Sequence, residues 1–437
     1  MTDEGLDGWE ESDAHERVRD PVEMVRQSGA ILRMGRLMLS AGTASYRVKE
    51  AMQRAAEALG VTRHHAHVTL TEITATSHRG PVFRTEVTEV RQVTVNADRI
   101  ARLDNLKDQL APGWTPERLD AALDAIEAKQ PPYPAWANAS FAGLACGAFA
   151  VLNNARLLEI IAVMIAATVG QYLRRALVHR GFNHFGTSMI AATAAATCYL
   201  LGVAAINALP FGSATQSAGY ISAVLFLVPG FAIVTGALDL AKLDFSAGVS
   251  RTAFAVMIFV GSGIGLWIVS LAASLEPGAG EPFAVSGGMV LAIRLVASFV
   301  GVLGFALMFN ASPGMAVVAS VIGAVANIGR LALVDHGVVI QAATVLACVI
   351  VGVLAALVAN WKRYPNITLS VPATLIMIPG VRVYDTMVHL NERLSTEAVA
   401  SGLDAALVML AIAVGLVIAK LLTDPDWAFE KVRKRRT

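Results

Sequence analysis

The 437-residue chain is predicted to be a polytopic α-helical membrane protein, about ten transmembrane helices arranged as two inverted five-helix repeats behind an N-terminal soluble α+β domain. Three observations predict this. The chain is 55 % hydrophobic and 16 % charged, with a mean hydropathy of +0.56, and several apolar runs approach the roughly 20 residues that span a bilayer. More than half of its Asp, Glu, Lys and Arg residues lie before Ala135, which separates a soluble N-terminal third from an apolar remainder. Finally, the apolar stretch around Val228-Pro229-Gly230 returns later as Ile378-Pro379-Gly380, with Ala223 matching Ala373 and Leu225 matching Leu375. Proline removes a backbone donor and glycine adds backbone freedom, so both stretches predict a helix broken inside the membrane. In hydrocarbon such a break survives only against protein or a water-filled cavity.

Residues 1–20 are polar and acidic, without the apolar core of a signal peptide, and predict a disordered tail. Residues 21–135 predict the α+β domain. Val22, Val25, Ile31, Leu32 and Leu39 recur at helical spacing, with Pro21 suited to a helix start. Ala41-Gly42-Thr43 predicts a turn, and a second amphipathic helix runs from Ala44 to Leu59, closed by Gly60. The period then changes to two from His65 to about His78, predicting a strand; Arg79-Gly80-Pro81 turns the chain, and Val82 to Val95 predicts a second strand. Two further helices are predicted over 98–110 and 116–129, before the Pro131-Pro132-Tyr133-Pro134 linker.

Ten spans are predicted at about 137–153, 157–173, 185–206, 218–238, 251–272, 287–309, 313–333, 337–359, 367–389 and 398–422. They form a first half over 136–275 and a second over 286–424, followed by a basic tail over 425–437. Arg174, Arg175, Arg180, Lys242, Arg251, Lys362, Arg363 and the run Lys431–Arg436 fall on one side if both termini are cytoplasmic, whereas Glu276 and Glu281 fall on the other. The Pro-Gly helices are the fourth and ninth spans. An offset of five spans inverts one half relative to the other, an arrangement of alternating-access carriers, and paired broken helices mark the binding site of such proteins.

The candidate substrate-binding residues follow from that placement. Pro229, Gly230, Pro379 and Gly380 would expose backbone groups. Arg294 and Arg382 lie deep enough for their charge to need a cavity or a partner, and either could hold a carboxylate bidentately. Thr235, Asn310, Asn327 and Tyr384 could hydrogen-bond a polar substrate, although membrane helices also use such residues to bind one another. Asp239, near the end of its span, is the candidate proton-coupling carboxylate; the alternative is a solvated residue beside Lys242 and Asp244. No metal or other cofactor is expected. His64, His65 and His67 lack the further ligands zinc needs, and Cys146, Cys198 and Cys348 sit singly in apolar runs as small hydrophobes. Arg47 and Glu50, three apart on a helix, predict a simple ion pair. No basic block suggests nucleic acid.

The chain resembles the threonine/serine exporter family. The resemblance rests on Ala41-Gly42-Thr43-Ala44-Ser45-Tyr46-Arg47-Val48-Lys49-Glu50-Ala51-Met52 with Ala58-Leu59-Gly60, on Val228-Pro229-Gly230 with Asp239-Leu240 and Ser246-Ala247-Gly248, and on Ile378-Pro379-Gly380-Val381-Arg382-Val383-Tyr384. It covers residues 25 to 422 in the family's order of soluble domain and two five-span halves. It implies export of threonine and serine from the cytoplasm across a bacterial inner membrane, as a secondary transporter (an antiporter) coupled to protons. Related two-subunit members imply a dicarboxylate of the succinate type as the alternative substrate. Where family members carry a Gly-rich turn between the first two spans, this chain has Asn153-Asn154-Ala155-Arg156, a departure that bears on substrate range. A membrane-anchored enzyme and a channel are the further alternatives; the soluble domain holds no Walker loop, nucleophile motif or metal site, so no enzyme is expected, and a channel would conduct without saturation or proton dependence. The partners implied are the small-molecule substrate, protons and the lipid bilayer, with a homo-oligomer left open.

Overall fold

The computed structural model describes residues 21–429 apart from 91–93, 211–213, 215–216, 274, 276–282 and 363. The predicted disordered tail, the acidic Glu276 and Glu281, Arg363 and the basic run at the C-terminus lie outside the described residues.

The chain divides into two compact units. The first comprises residues 1–130 together with Asp239–Ser250, and the second comprises Pro131–Leu238 and Arg251–Thr437. In the first, helices α1 (Pro21–Ser40) and α2 (Ser45–Ala58) precede strands β1 (Arg63–Val68), β2 (Glu72–Arg79) and β3 (Val82–Glu89), and α3 (Ala97–Gln109) and α4 (Pro116–Glu127) follow. The strands form one antiparallel sheet in the order β1-β2-β3. Its core joins Ile31, Met34 and Met38 of α1 to Val48 and Met52 of α2, Val68 and Ile73 of the sheet, and Leu103, Leu119 and Leu123 of the last two helices. Each helix contributes one apolar stripe, and burying those stripes together supplies the stability of the domain. Gly60 ends α2 in the left-handed region at φ +78°, while the Val61 N–H returns to the Ala56 carbonyl, a pattern that satisfies the helix's last acceptors.

The expected long strand from His65 to His78 is two strands. Thr69 breaks it: its backbone N–H donates to the Glu72 carbonyl at 2.9 Å, and its hydroxyl accepts from the Glu72 N–H at 3.1 Å. A threonine that bonds its own neighbours turns the chain although the alternation of side chains passes through without interruption. The expected Arg47–Glu50 pair also does not form. Arg47 reaches across to Asp104 on α3 at 2.5 Å, and Glu50 pairs with Lys107 and Arg54. Burial alone would raise the pKa of Asp104, but Arg47 and Lys107 outweigh it and hold the carboxyl below its ordinary value.

In the second unit, α5 (Ala135–Leu152), α6 (Leu157–His179), α7 (His184–Asn207), α10 (Phe245–Ser270), α11 (Gly287–Met308), α12 (Pro313–Asp335), α13 (Ile340–Lys362) and α16 (Ser395–Thr423) are each long and apolar enough to cross a membrane; α10 begins within the first unit. The ninth expected span is a pair, α14 (Asn366–Leu375) and α15 (Gly380–Asn391), bent by 48°. The fourth is more fragmented: α8 (Ser217–Tyr220), a 3-10 segment over Ser222–Leu227, and the short apolar α9 (Gly230–Ala241). The chain ends in α17 (Pro425–Ala428). Among the described residues, eight unbroken spans, or nine with the bent pair, stand where ten were expected.

Turn geometry recurs between the halves. Non-glycine residues with positive φ follow the first helix of each half, Asn154 (64°) and Asn310 (61°), and follow the broken helix of each, Leu243 (60°) and Arg393 (60°). Gly181 and Gly337, after the second helices, match as well at 75° and 87°. A bulky residue such as leucine rarely adopts this conformation, and the same sign of φ returns at Arg393 after the second broken helix.

The first unit carries a pH-dependent element. His64, on β1, is buried, with its Nδ1 2.9 Å from the Ser77 hydroxyl. Burial, with a smaller repulsion from His65, lowers its pKa to about 4. The unfolded chain binds this proton at about pH 6.5 and the folded chain only near pH 4, so stability falls as pH drops through that window, by about 3 kcal/mol in total. Limited proteolysis of the full-length protein between pH 7 and 4 is expected to show cleavage of β1–β2 rising with acidity, and His64→Leu should flatten that rise.

Candidate functional site

The site is built by the two breaks, which share one backbone device. At the second, Pro379 has φ −81° and ψ 63°, and the Gly380 N–H donates to the Ile378 carbonyl at 2.9 Å. That is an inverse γ-turn centred on proline. The first break repeats the bond: the Gly230 N–H donates to the Val228 carbonyl, also at 2.9 Å. Each helix then restarts on a bond back to its proline carbonyl, from Ile233 to Pro229 and from Val383 to Pro379.

The breaks interlock. A Cβ on Gly230 would stand 2.5 Å from the Leu375 terminal methyl and 3.5 Å from Val371, both on α14, which leads into the second break. A Cβ on Gly380 would stand 2.8 Å from the Phe149 ring and 3.7 Å from Ile221, beside the 3-10 segment that leads into the first. Each glycine therefore packs against the approach to the other break. Tyr220 and Tyr384 meet edge to face across the same region, centroids 6.1 Å apart, and the Tyr220 hydroxyl donates to the Leu266 carbonyl. Pro229, Gly230, Pro379, Gly380 and Tyr384, predicted as site residues, are thus gathered in one place.

The other predicted residues lie apart from it or have structural partners. The Thr235 hydroxyl donates to the Phe231 carbonyl at 2.6 Å and accepts from Arg251 Nη1 at 3.1 Å. Arg294 pairs with Asp335 at 2.5 Å, where both side chains are partly exposed. Arg382 lies 3.8 Å from Asp404, each nearly half exposed, a pair of small energetic weight. Asn310 closes α11 in the left-handed region and is buried. Asn327 donates to the Ser298 hydroxyl at 2.9 Å, both fully buried.

Asp239 is not solvated beside Lys242. Its side chain is buried and belongs with the first unit, where it accepts from the backbone N–H groups of Ser45 at 3.2 Å and Tyr46 at 3.4 Å, the opening residues of α2. These N–H groups have no partner within their own helix, and α2's N-cap residue, Ala44, has no side chain to serve them. Asp244 continues the contact, accepting from the Ser45 hydroxyl at 2.6 Å and from Lys49 at 2.5 Å. No local pattern announces a cap supplied from so far along the chain.

Sequence reasoning missed Arg330. It is 8 % exposed on α12, and its Nε donates to the Asn327 Oδ1 at 3.0 Å. The first half holds a counterpart: Arg174 Nη1 lies 3.4 Å from the Gln171 Oε1 on α6, and Gln171 in turn donates to Asn138 at 3.0 Å. The offset that relates Gly181 to Gly337 also relates Gln171 to Asn327 and Arg174 to Arg330. An amide three residues before an arginine, in two spans at one offset, was the available signal.

The long apolar helices and the bent pair of the second unit are those of a polytopic membrane protein. The ThrE family model, of threonine/serine exporters, matches residues 30–273, and a second, "Threonine/Serine exporter, ThrE", matches residues 294–422. The chain belongs to the threonine/serine exporter family. It is 24 % identical over 414 residues to a Mycobacterium tuberculosis protein named "Probable threonine/serine exporter", covering 90 % of this chain and 76 % of that one. It is also similar to proteins named "Probable succinate transporter subunit YjjP", at 31 % identity in Klebsiella aerogenes and 30 % in Escherichia coli, in each case over 134 residues. Those matches cover 31 % of this chain, and the chain spans about half the length of the two YjjP proteins. No solved structure matches.

The interlock makes a graded prediction. A leucine end can swing away, but the Phe149 ring, 3 % exposed, has little room. Gly380→Ala is expected to destabilise the detergent-solubilised protein by about 1–3 kcal/mol through overpacking, and Gly230→Ala by less. Thermal unfolding checks the order, and Phe149→Leu should recover part of the Gly380→Ala loss.

Proposed function

We propose that the chain is a secondary exporter of small hydroxy amino acids, threonine and serine, driven by the proton-motive force through alternating access. The observation that carries this reading is the reciprocal packing of the two proline-centred breaks. A pair of interrupted helices crossing at one point is where the two halves of an inverted-repeat carrier would exchange access to a shared site. Recurrent corner geometry supports the five-plus-five repeat, and the relative spanning 90 % of the chain supports the substrate. The breaks would supply backbone groups to a zwitterion, with the start of α15 and of α9 favouring its carboxylate end. The protein would lie in the bacterial inner membrane with both termini cytoplasmic, as the basic loops favour.

Asp239 is the coupling carboxylate in this proposal. It stands in the last turn of α9, the helix that starts at the first break, and it holds the start of α2 through two N–H bonds. Protonation removes the negative charge those donors face, so proton uptake would loosen the hold on α2. Dicarboxylate export by the same architecture is the second reading, favoured by the similarity to the YjjP proteins over residues of this chain.

Efflux from proteoliposomes preloaded with labelled threonine, serine or succinate, with and without a proton gradient, tests both. Saturable, gradient-dependent threonine or serine efflux is expected, and Asp239→Asn should abolish the gradient dependence. Succinate movement alone would transfer the assignment to the second reading. Unchanged transport by both Gly230→Leu and Gly380→Leu at normal expression would remove the breaks from the mechanism.

A further inference from the structure

The polar residues of the second half lie in layers along α11 and α12. At the end of α12, Asp335 is taken by Arg294 at 2.5 Å. More than one turn deeper, Arg330 is 8 % exposed, and among the described residues no carboxylate lies within ion-pairing distance of it. A guanidinium carries five N–H donors in a planar fork and stays charged. Among the described residues, only the Nε of Arg330 has a protein acceptor, the Asn327 Oδ1 at 3.0 Å. Asn327 is itself held by donating to the buried Ser298 hydroxyl at 2.9 Å. The plane of the fork is therefore set from one side, and among the described residues the edge formed by Nη1 and Nη2 has no protein acceptor.

A residue that served only to glue helices together would have those donors engaged by its neighbours, because an uncompensated charge inside a membrane protein is costly. The helix that carries Arg330 also packs on the approach to the second break. Gly323, seven residues before Arg330 on α12, packs directly on Ala373 of α14. An amide–arginine pair recurs at Gln171 and Arg174, there through Nη1 rather than Nε.

We propose that the Nη edge of Arg330, oriented by Asn327 and Ser298, binds the carboxylate of the transported molecule. The inference rests on the export reading and names the group that recognises what hydroxy amino acids and dicarboxylates have in common. With Nε already taken, the carboxylate is held end-on by Nη1 and Nη2, a bidentate contact that lysine cannot reproduce. Arg174 is the corresponding group of the first half.

The test is equilibrium binding to the purified full-length protein of L-threonine, L-threoninamide and succinate, for wild type, Arg330→Gln and Arg330→Lys. Wild type is expected to prefer threonine to threoninamide at least tenfold. Arg330→Gln should weaken threonine binding at least tenfold and erase the preference, while Arg330→Lys should retain part of both. Wild-type affinity and preference in a monodisperse Arg330→Gln protein would overturn the assignment. If Arg330→Gln does not fold, the wild-type comparison still decides: equal binding of threonine and threoninamide overturns it. Arg330-dependent binding of succinate alone would keep the site while displacing the hydroxy amino acid reading. Binding of none of the carboxylates would remove the export reading and this assignment together.

Discussion

Two inverse γ-turns, each centred on a proline and each seated against the approach to the other, set the terms for the membrane unit. A helix that stops inside an apolar layer leaves carbonyls and N–H groups without their i→i+4 partners, and hydrocarbon offers no replacement. The turn closes one bond locally, from Gly230 to Val228 and from Gly380 to Ile378. Side chains packed on the breaks protect the rest, and glycine is the residue that leaves them room to come that close. The surrounding helices follow from this need: α11 brings Gly301 against Ile376, α6 brings Gly170 against Phe226, and α12 brings Gly323 against Ala373.

Charge is managed differently in the two units. In the soluble unit, ionised groups sit in mutually compensating clusters. Arg47, Asp104, Lys107 and Glu50 form one, and Lys49, Ser45 and Asp244 another. In the membrane unit, the described Arg294–Asp335 and Arg382–Asp404 pairs keep partial contact with solvent, where a pair is worth little. Arg330 departs from both patterns, a buried cation steadied by an amide rather than by an acid. This contrast separates residues that hold the fold from one with binding capacity to spare.

Much of the architecture was legible along the chain. The helices of the soluble unit announced themselves by apolar stripes and by Pro and Gly at their ends, and the breaks by Pro229-Gly230 and Pro379-Gly380. The split between β1 and β2 was not legible, because Thr69 turns the chain with hydrogen bonds that leave the alternation intact. Arg47 and Glu50 misled for a similar reason: helical spacing permits a pair but does not weigh it against Asp104 and Lys107 on another helix. Arg294 and Arg382 drew attention as charges at depth, yet depth counted in residues does not tell which face of a helix is covered. Of the three, Arg330 is the one the packing encloses.

The sequence by itself determined which segments are apolar enough to enter a membrane and where two of them must break. Those are local properties, set by hydropathy, by the missing N–H of proline and by the missing side chain of glycine. Only the tertiary structure decided what each break packs against, that Asp239 holds the first turn of α2, and that Arg330 keeps an edge of its guanidinium without a protein acceptor among the described residues. Each of these depends on residues brought together from distant parts of the chain, and contact at a distance leaves no periodic trace in the residues that make it.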